Sequence, residues 1–227
     1  MTGQDLRHAR VRRNWTQQDA ARRLEVSQGY LSLLEKGRRP VPSRLMKKLL
    51  EAYEVSPTVL PMHPPESWAG VNDEVFARCL GSLGYPGFSH LRAPADRNPA
   101  EVLLRALMQP DLDGRVAKGL PWLPFHYAEM DWSWLVPNAK LNDVQNRLGF
   151  AVTLARQIAE SQNDGEKVKL LRHYETLLDH SRLAREDTFC HNSLTEVERR
   201  WLREKRPPEA SHWNLLTDLT KEQLTHV

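Results

Sequence analysis

The stretch Thr16–Arg39, TQQDAARRLEVSQGYLSLLEKGRR, decides the fold of the N-terminal part of the chain. Thr16 followed three residues later by Asp19 is the pattern of a helix N-terminus, and Leu24 closes that helix. Ser27 then provides a second helix N-terminus. The stretch therefore predicts two short helices joined by a tight turn.

The second of these helices has two different faces. Leu31 and Leu34 form an apolar stripe at helical spacing. The opposite face consists of Gln28, Gly29, Ser32 and Leu33. A glutamine near the start of such a helix can bind an adenine edge through two hydrogen bonds, and small or apolar side chains can contact other base edges or a thymine methyl. The pattern predicts a helix that reads bases in a DNA major groove.

From about Leu6 to Leu60, the chain resembles the lambda-repressor/Cro type of helix-turn-helix domain, often called XRE-like. The positions that carry the resemblance are Leu6, Arg10, Thr16, Gln17, Ala21, Val26, Ser27, Gln28, Leu31, Ser32, Leu34, Glu35, Gly37, Arg39 and Pro42. The resemblance implies a five-helix DNA-binding domain over residues 1–60. It also implies base contacts by Ser27, Gln28, Gly29, Ser32 and Leu33.

The same resemblance assigns roles outside the base-reading face. It places Gln17 on a backbone phosphate and pairs Arg10 with Glu35 in a structural ion pair. The remaining phosphate contacts that we expect are Arg38, Arg39, Ser43 and Arg44.

Two positions depart from the family pattern. Glu25 stands where the family usually has glycine, at a turn position that often needs a positive φ. Ala20 replaces a larger aliphatic residue, and we expect Trp15 to restore the lost core volume.

Charge is distributed unevenly along the chain. Residues 1–55 hold 12 Lys/Arg against 6 Asp/Glu, whereas the remainder holds 20 against 23. Basic side chains near the predicted base-reading helix would neutralise phosphates and release counterions, which makes binding salt-dependent. The charge pattern supports double-stranded DNA as the partner.

Composition narrows the function class. The 227 residues are 40% hydrophobic, enough for one small and one larger domain. We find no apolar run of membrane-spanning length and no signal-peptide core, and Cys79 and Cys190 form no CxxC pair. We therefore expect a cytoplasmic protein without a membrane partner.

Motifs for catalysis and for cofactors are missing from the sequence. It has no Walker glycine loop, no GxSxG, no HExxH and no cysteine-histidine array with zinc spacing. His173, His180 and Cys190-His191 provide no firm set of four metal ligands. We expect neither an enzyme nor a metal or cofactor site.

Residues 61–99 read as a connector with one possible helix over Glu66–Leu83, because prolines and glycines punctuate the rest. The connector is either a hinge or an ordered loop packed along the second domain. Trp68, Phe76 and Phe88 favour the ordered loop.

Residues 100–227 read as helical throughout, which makes the protein all-α, with a larger helical-bundle domain after the first. The strongest helix starts near Asn138, and its apolar stripe is Leu141, Val144, Leu148, Ala151, Ala155 and Ile158. The stripe is either a bundle core or a self-association seam. A second helix follows Gly165, and another runs from Ser193 with Leu194, Val197 and Trp201.

Two segments of this domain each allow two interpretations. The aromatic side chains Trp122, Tyr127, Trp132 and Trp134 form either a pocket or partner surface, or ordinary core. The apolar tail His212–Val227 is either a docking helix for a partner or a cover over the bundle.

These features predict a sequence-specific DNA-binding transcriptional regulator, a repressor that acts as a homodimer on a palindromic operator. Residues 100–227 would dimerise, bind a protein partner or sense a small effector. The alternative is an antitoxin-like protein that neutralises a partner through its C-terminal domain and autoregulates its operon.

Overall fold

Capping boxes begin three of the helices that the structure describes, because a threonine hydroxyl and an acidic side chain three residues later satisfy each other's backbone N–H groups. The pairs are Thr2 with Asp5, Thr16 with Asp19, and Thr195 with Glu198. The structure is a computed structural model that describes residues 2–68 and 70–224, without the side chains of Ser43, Arg44, Glu66 and Ser67.

The chain forms two units, the first comprising Met1–Met62 with Pro94–Asn98. Its helices are α1 (Gly3–Arg12), α2 (Gln17–Arg23), α3 (Gln28–Glu35), α4 (Ser43–Tyr53) and a 3₁₀ turn at Pro57–Val59. Leu6, Leu31, Leu34 and Leu49 are fully buried at its centre. Each of them lies on the apolar stripe of its own helix, so burial of these stripes holds the unit together.

Both departures from the family pattern are accommodated in this unit. Glu25, in the turn between α2 and α3, has φ of 55°, so it adopts the left-handed conformation that a glycine would take there. Ala20 is fully buried, and Trp15 packs against the same core with its ring 5.4 Å from that of Tyr53. Trp15 therefore contributes volume next to the small residue.

The second unit comprises His63–Ala93 and Pro99–Val227. Its α-helices are α5 (Asp73–Ser82), α6 (Pro99–Leu107), α7 (Gly114–Gly119), α8 (Trp122–His126), α9 (Trp132–Leu141), α10 (Gln145–Ser161), α11 (Gly165–Asp179), α12 (Glu196–Lys205) and α13 (Pro208–His212). The 3₁₀ turns are Pro65–Trp68, Pro86–Leu91 and Lys221–Gln223. Helix α10 packs along α11 and lies at the centre of the bundle. The prediction of an all-α fold is confirmed.

A single short sheet joins distant parts of the second unit within the described residues. Strand β1 (Asp187–Thr188) pairs in parallel with β2 (Leu215–Leu216). Arg147 of α10 lies beneath it, buried, and donates two hydrogen bonds to the Asp187 carboxylate at 2.7 and 2.8 Å. The sheet is two residues long, so it fixes the chain path without forming a layer.

The long helix expected from near Asn138 is two helices. Helix α9 ends at Leu141, and α10 begins at Gln145. Between them Asp143 has φ of 57°, a left-handed conformation that an α-helix cannot continue through. Leu141 is 82% exposed and lies outside the buried stripe, whereas Leu148 and the following stripe residues are buried. The stripe on α10 is thus bundle core.

The tail covers the bundle. Trp213 is fully buried, and its indole Nε1 donates to the Thr153 hydroxyl on α10 at 2.8 Å. A Cβ on Gly149 would lie 2.4 Å from the Trp213 ring, so the ring sits directly on the backbone of α10. Leu215, Leu216, Leu219 and Leu224 are buried as well. Over the described residues to Leu224, the tail is no free docking helix.

The expected connector is divided between the two units. Residues 63–93 belong to the second unit, where Trp68, Phe76 and Phe88 are buried as the ordered-loop interpretation requires. Residues 94–98 belong to the first unit, where the Asn98 amide donates to the carbonyls of Thr58 and Leu60 at 2.9 and 2.8 Å.

In the part of the chain that the structure describes, no helix combines the length and the apolar character that crossing a membrane requires.

Candidate nucleic-acid interface

Helix α3 presents one face to the core and another to solvent. Ser27 caps it, since its hydroxyl accepts a hydrogen bond from the Tyr30 backbone N–H at 3.2 Å. Leu31 and Leu34 are fully buried. The residues on the other face are exposed (Gln28, Gly29) or half-buried (Ser32, Leu33). The structure therefore brings the candidate base-contacting residues together at the solvent side of α3.

Gly29 is not required by the packing of the protein. A Cβ added at this residue would meet no atom within 4 Å, and its φ lies outside the left-handed region. The glycine leaves the start of α3 without a side chain between Gln28 and Tyr30. A surface that approaches this helix can thus come close to its backbone.

A buried polar network fixes the orientation of α3. Arg10 donates to the two carboxylate oxygens of Glu35, Nε to Oε1 at 2.6 Å and Nη2 to Oε2 at 3.1 Å. Its Nη1 donates to the Trp15 carbonyl at 2.8 Å. The Gln17 amide donates to Glu35 Oε2 at 2.8 Å. Through these contacts, α1 and the start of α2 both hold the C-terminal end of α3.

Two opposing effects set the pKa of Glu35. Burial disfavours its charged form, but the hydrogen bonds from Arg10 and Gln17, together with the Arg10 charge, outweigh burial and hold the pKa below its ordinary value. Glu35 is therefore an ionised structural group. Its side chain is only 2% exposed, which leaves it no role at the surface.

Gln17 thus has a role that sequence reasoning did not assign to it. The resemblance places it on a phosphate, and the structure shows its half-buried amide bound to Glu35. A side-chain amide carries two N–H groups. The contact with Glu35 uses one of them.

The basic residues after α3 are exposed and unpaired. Lys36, Arg38 and Arg39 form no ion pair with any described residue, whereas Lys47 and Lys48 of α4 pair with Asp96 and Glu25. Of these five basic residues, only the three beside α3 are therefore without an ion-pair partner among the described residues. Ser43 and Arg44 were also expected at phosphates, but their side chains lie outside the described residues.

Sequence reasoning missed Tyr30. It is the third residue of α3 and half-buried, and the Arg39 guanidinium lies over its ring, 5.9 Å from the centroid. This cation–π contact orients Arg39 relative to α3. An aromatic residue one position before the buried Leu31 was the available signal, but the contact with Arg39 depends on how the chain turns after α3.

The aromatic segment of the second unit is mostly core. Trp122 and Trp132 are 4% exposed, and Trp132 stacks on Tyr174 with centroids 4.3 Å apart. The Tyr127 hydroxyl donates to the Leu83 carbonyl at 2.5 Å. Trp134 is half-buried. The core interpretation therefore holds for Trp122 of α8 and for Trp132 at the start of α9.

An open cavity of about 240 Å³ lies elsewhere in the second unit. Its apolar lining residues include Phe189, Leu202, Leu216 and Leu219, and Lys118, His191 and Asp218 are among its polar ones. The cavity is lined by α7, by residues 189–191 after β1, by Leu202 of α12 and by residues 216–219. Among the described residues, no group of three His, Cys, Asp or Glu side chains is placed to hold a metal ion.

Comparison with known proteins identifies the N-terminal unit. Residues 3–61 match the family model of a helix-turn-helix domain, which spans α1 through the 3₁₀ turn at Pro57–Val59. No curated protein and no solved structure matches the chain. The prediction of a helix-turn-helix domain at the N-terminus is confirmed, and this domain indicates a DNA-binding regulator. Residues 62–227 lie outside the match.

Proposed function

We propose, from the helix-turn-helix domain at residues 3–61, that this protein is a sequence-specific transcriptional regulator whose α3 lies in the major groove. One observation carries the proposal. Gln28 and Gly29 stand exposed at the N-terminal end of α3, while the opposite face and Glu35 anchor the helix in the core. A helix that is anchored in the core on one side and exposed on the other can hold its side chains against the base edges of a duplex.

In this proposal the base-reading residues act differently. Gln28 binds an adenine edge through two hydrogen bonds, and Ser32 and Leu33 contact neighbouring edges or a thymine methyl. Gly29 permits close approach to the backbone of α3, because it has no side chain and no protein atom lies within 4 Å of where a Cβ would stand. Ser27, as the helix cap, lies at the same end of α3.

Phosphate contacts supply most of the affinity. Arg38 and Arg39 are exposed and free of ion pairs within the described residues, so forming a phosphate contact breaks no existing salt bridge. The second amide hydrogen of Gln17 remains available for a phosphate, while its first braces Glu35. Such contacts position the domain and make binding salt-dependent.

We further propose that the protein represses transcription in the cytoplasm as a homodimer on a palindromic operator. One helix-turn-helix contacts few base pairs, so useful specificity needs two copies on half-sites about one helical turn apart. Residues 100–227 would hold the copies together or respond to a partner or small effector. The proposal assigns the chain no catalytic step.

One argument for the antitoxin-like alternative no longer applies. It required the apolar tail to be a docking helix for a partner, but Trp213 and the leucines up to Leu224 are buried in the chain's own bundle. No other described feature favours it over the regulator.

The test is binding of the purified full chain to a duplex covering its own promoter, with a scrambled duplex as control, at two salt concentrations. We expect specific binding that weakens as salt rises. Equal affinity for both duplexes would contradict sequence-specific regulation at this promoter.

Two substitutions locate the interface in the same assay. Gln28→Ala should weaken binding to the cognate duplex by roughly 1–3 kcal/mol and relax discrimination at one base position. Gln18→Ala, also exposed but on α2, is the matched control and should leave discrimination intact.

Arg39→Ala should weaken binding to all duplexes alike and reduce the salt slope by about one unit. Arg115→Ala, an exposed arginine of the second unit, is its control. If Gln28→Ala and Arg39→Ala both bind like the unsubstituted chain, α3 is not the docking face.

A further inference from the structure

Helix α12 exposes two large apolar side chains on one face. Val197 and Trp201 are 78% and 51% exposed, and they lie four residues apart, one above the other on the helix. Leu202, the next residue and about 100° around the helix from Trp201, is buried. Exposed tryptophan on an otherwise charged helix is characteristic of an interaction surface, because tryptophan contributes strongly to binding energy.

Charged side chains border this apolar face on both sides. A helix turns about 100° per residue, so Glu198 and Lys205 lie on one side of Trp201, and Arg200 and Glu204 lie on the other. All four are exposed. Within the described residues, Arg200, Glu204 and Lys205 form no side-chain hydrogen bond or ion pair, and Glu198 uses only Oε2 for the cap at Thr195. Each side thus carries one acid and one base.

This arrangement is complementary to a second copy of itself. When two copies of α12 lie antiparallel about a two-fold axis near Trp201, the same side of each helix meets its counterpart. Glu198 then faces Lys205 of the second copy, and Arg200 faces Glu204 of the second copy. The helix dipoles are also opposed, which favours the pairing.

A parallel pair is less complementary. In a parallel pair, Val197 and Trp201 again form the apolar seam. Arg200 of one copy then meets Lys205 of the other copy across that seam, and these like charges repel. The charge pattern therefore favours the antiparallel arrangement.

We propose that α12 is a self-association helix, on which a second copy of the chain packs antiparallel with Trp201 close to the two-fold axis. This inference rests on the proposed function, which requires two copies of the chain on the operator. The pairing names the segment that holds the homodimer together. It uses the face that the bundle leaves bare, so it requires no rearrangement of the second unit.

The size of the helix sets the strength of the dimer. Ten residues of α-helix are about 15 Å long. Two such helices bury less than the roughly 800 Å² per partner of a typical stable interface. The dimer should therefore dissociate on dilution, and the two half-sites of an operator would favour its formation on DNA.

The test is the mass of the full chain in solution, measured by analytical ultracentrifugation without DNA over a range of concentrations. We expect a monomer–dimer equilibrium, and Trp201→Ala should weaken the dimer by about 30-fold or more. Leu141→Ala is the matched control, because Leu141 is 82% exposed at the end of α9 and lies outside the α12 surface. Its dimer should match that of the unsubstituted chain.

A charge exchange tests the geometry without depending on the apolar contact. Arg200→Glu should weaken the dimer because it faces Glu204 of the second copy, and adding Glu204→Arg to the same chain should restore it. Circular dichroism of each variant monitors helix content. Recovery in the double variant excludes unfolding as the cause of the loss.

Two outcomes would overturn the self-association helix. One is a Trp201→Ala dimer as tight as that of the unsubstituted chain. The other is an unsubstituted chain that stays monomeric at all concentrations, and α12 would then have to serve a different partner. Failure of the proposed function is distinguishable. If Trp201→Ala weakens the dimer but the unsubstituted chain shows no specific promoter binding, the self-association helix is retained and the regulator is rejected. If the chain binds its promoter specifically but Trp201→Ala leaves the dimer unchanged, the regulator is retained and the self-association helix is rejected.

Discussion

Glu35 is a buried carboxylate whose charge one guanidinium and one amide compensate. Replacing Arg10 by methionine leaves that charge without its ionic partner, and breaking a buried pair in this way costs about 3–5 kcal/mol. We expect Arg10→Met to lower the free energy of unfolding of the N-terminal unit by this amount in a denaturant titration. Arg12→Met, an exposed position on the same helix, is the control and should change little.

The combined variant Arg10→Met/Glu35→Leu distinguishes the loss of the Arg10–Glu35 attraction from the cost of leaving the Glu35 carboxylate buried without a charged partner. It should be more stable than Arg10→Met alone, since no unpaired carboxylate remains. A single variant as stable as the unsubstituted chain would show that the pair contributes nothing to folding.

The lowered pKa of Glu35 predicts a dependence of stability on acid. Its ordinary pKa is 4.5 and its folded value is lower, so its charge stabilises the folded state fully above pH 4.5. That stabilisation is lost as the pH falls through the folded pKa. Unfolding free energies measured between pH 7 and pH 3 should fall less steeply for Glu35→Gln than for the unsubstituted chain. Parallel curves would assign the acid sensitivity to other carboxylates.

At the scale of elements, the turn between α2 and α3 carries strain at Glu25, because a residue with a side chain is held at φ of 55°. Its ion pair with Lys48 is exposed, so solvent screens the attraction and the pair adds little to stability. Glu25→Gly relieves the strain, and we expect a gain of roughly 0.5–1 kcal/mol in unfolding free energy. Glu51→Gly, exposed inside α4, should instead lose about 1 kcal/mol.

The contact between α10 and the tail has no room for a methyl group at Gly149. A Cβ there would approach the fully buried Trp213 ring to 2.4 Å, and overpacking of this kind costs roughly 1–3 kcal/mol. Gly149→Ala should therefore lower the melting temperature clearly. Gly165→Ala, at the start of α11 with no atom within 4 Å of the added Cβ, should leave it unchanged or slightly raised. Equal behaviour of the two variants would contradict this packing.

At the scale of the whole molecule, the chain leaves the first unit at residue 62 and returns to it at residues 94–98. Asn98 is 1% exposed and donates to the carbonyls of Thr58 and Leu60. Asn98→Ala leaves buried carbonyl groups without this donor, a loss of about 1–3 kcal/mol. Hydrogen exchange followed by mass spectrometry should show faster exchange in peptides of residues 3–60. Peptides from α10 and α11 serve as the internal control and should keep their protection.

The sequence by itself determined the helix-turn-helix domain. Capping boxes and apolar stripes act between residues three or four apart, so Thr16, Asp19, Leu31 and Leu34 specify α2 and α3 locally. The all-α class followed from the same short-range periodicity. The exposed face of α3 could be predicted because it is what remains after the apolar stripe is buried.

Only the tertiary structure decided which of the large apolar side chains become core. Trp201 and Trp213 both lie near the C-terminus, yet Trp201 is half exposed and Trp213 is fully buried. The break at Asp143, the contact of Gln17 with Glu35 and the return of residues 94–98 to the first unit likewise depend on groups far apart in the chain. Burial depends on which element packs opposite, and no local spacing encodes that partner.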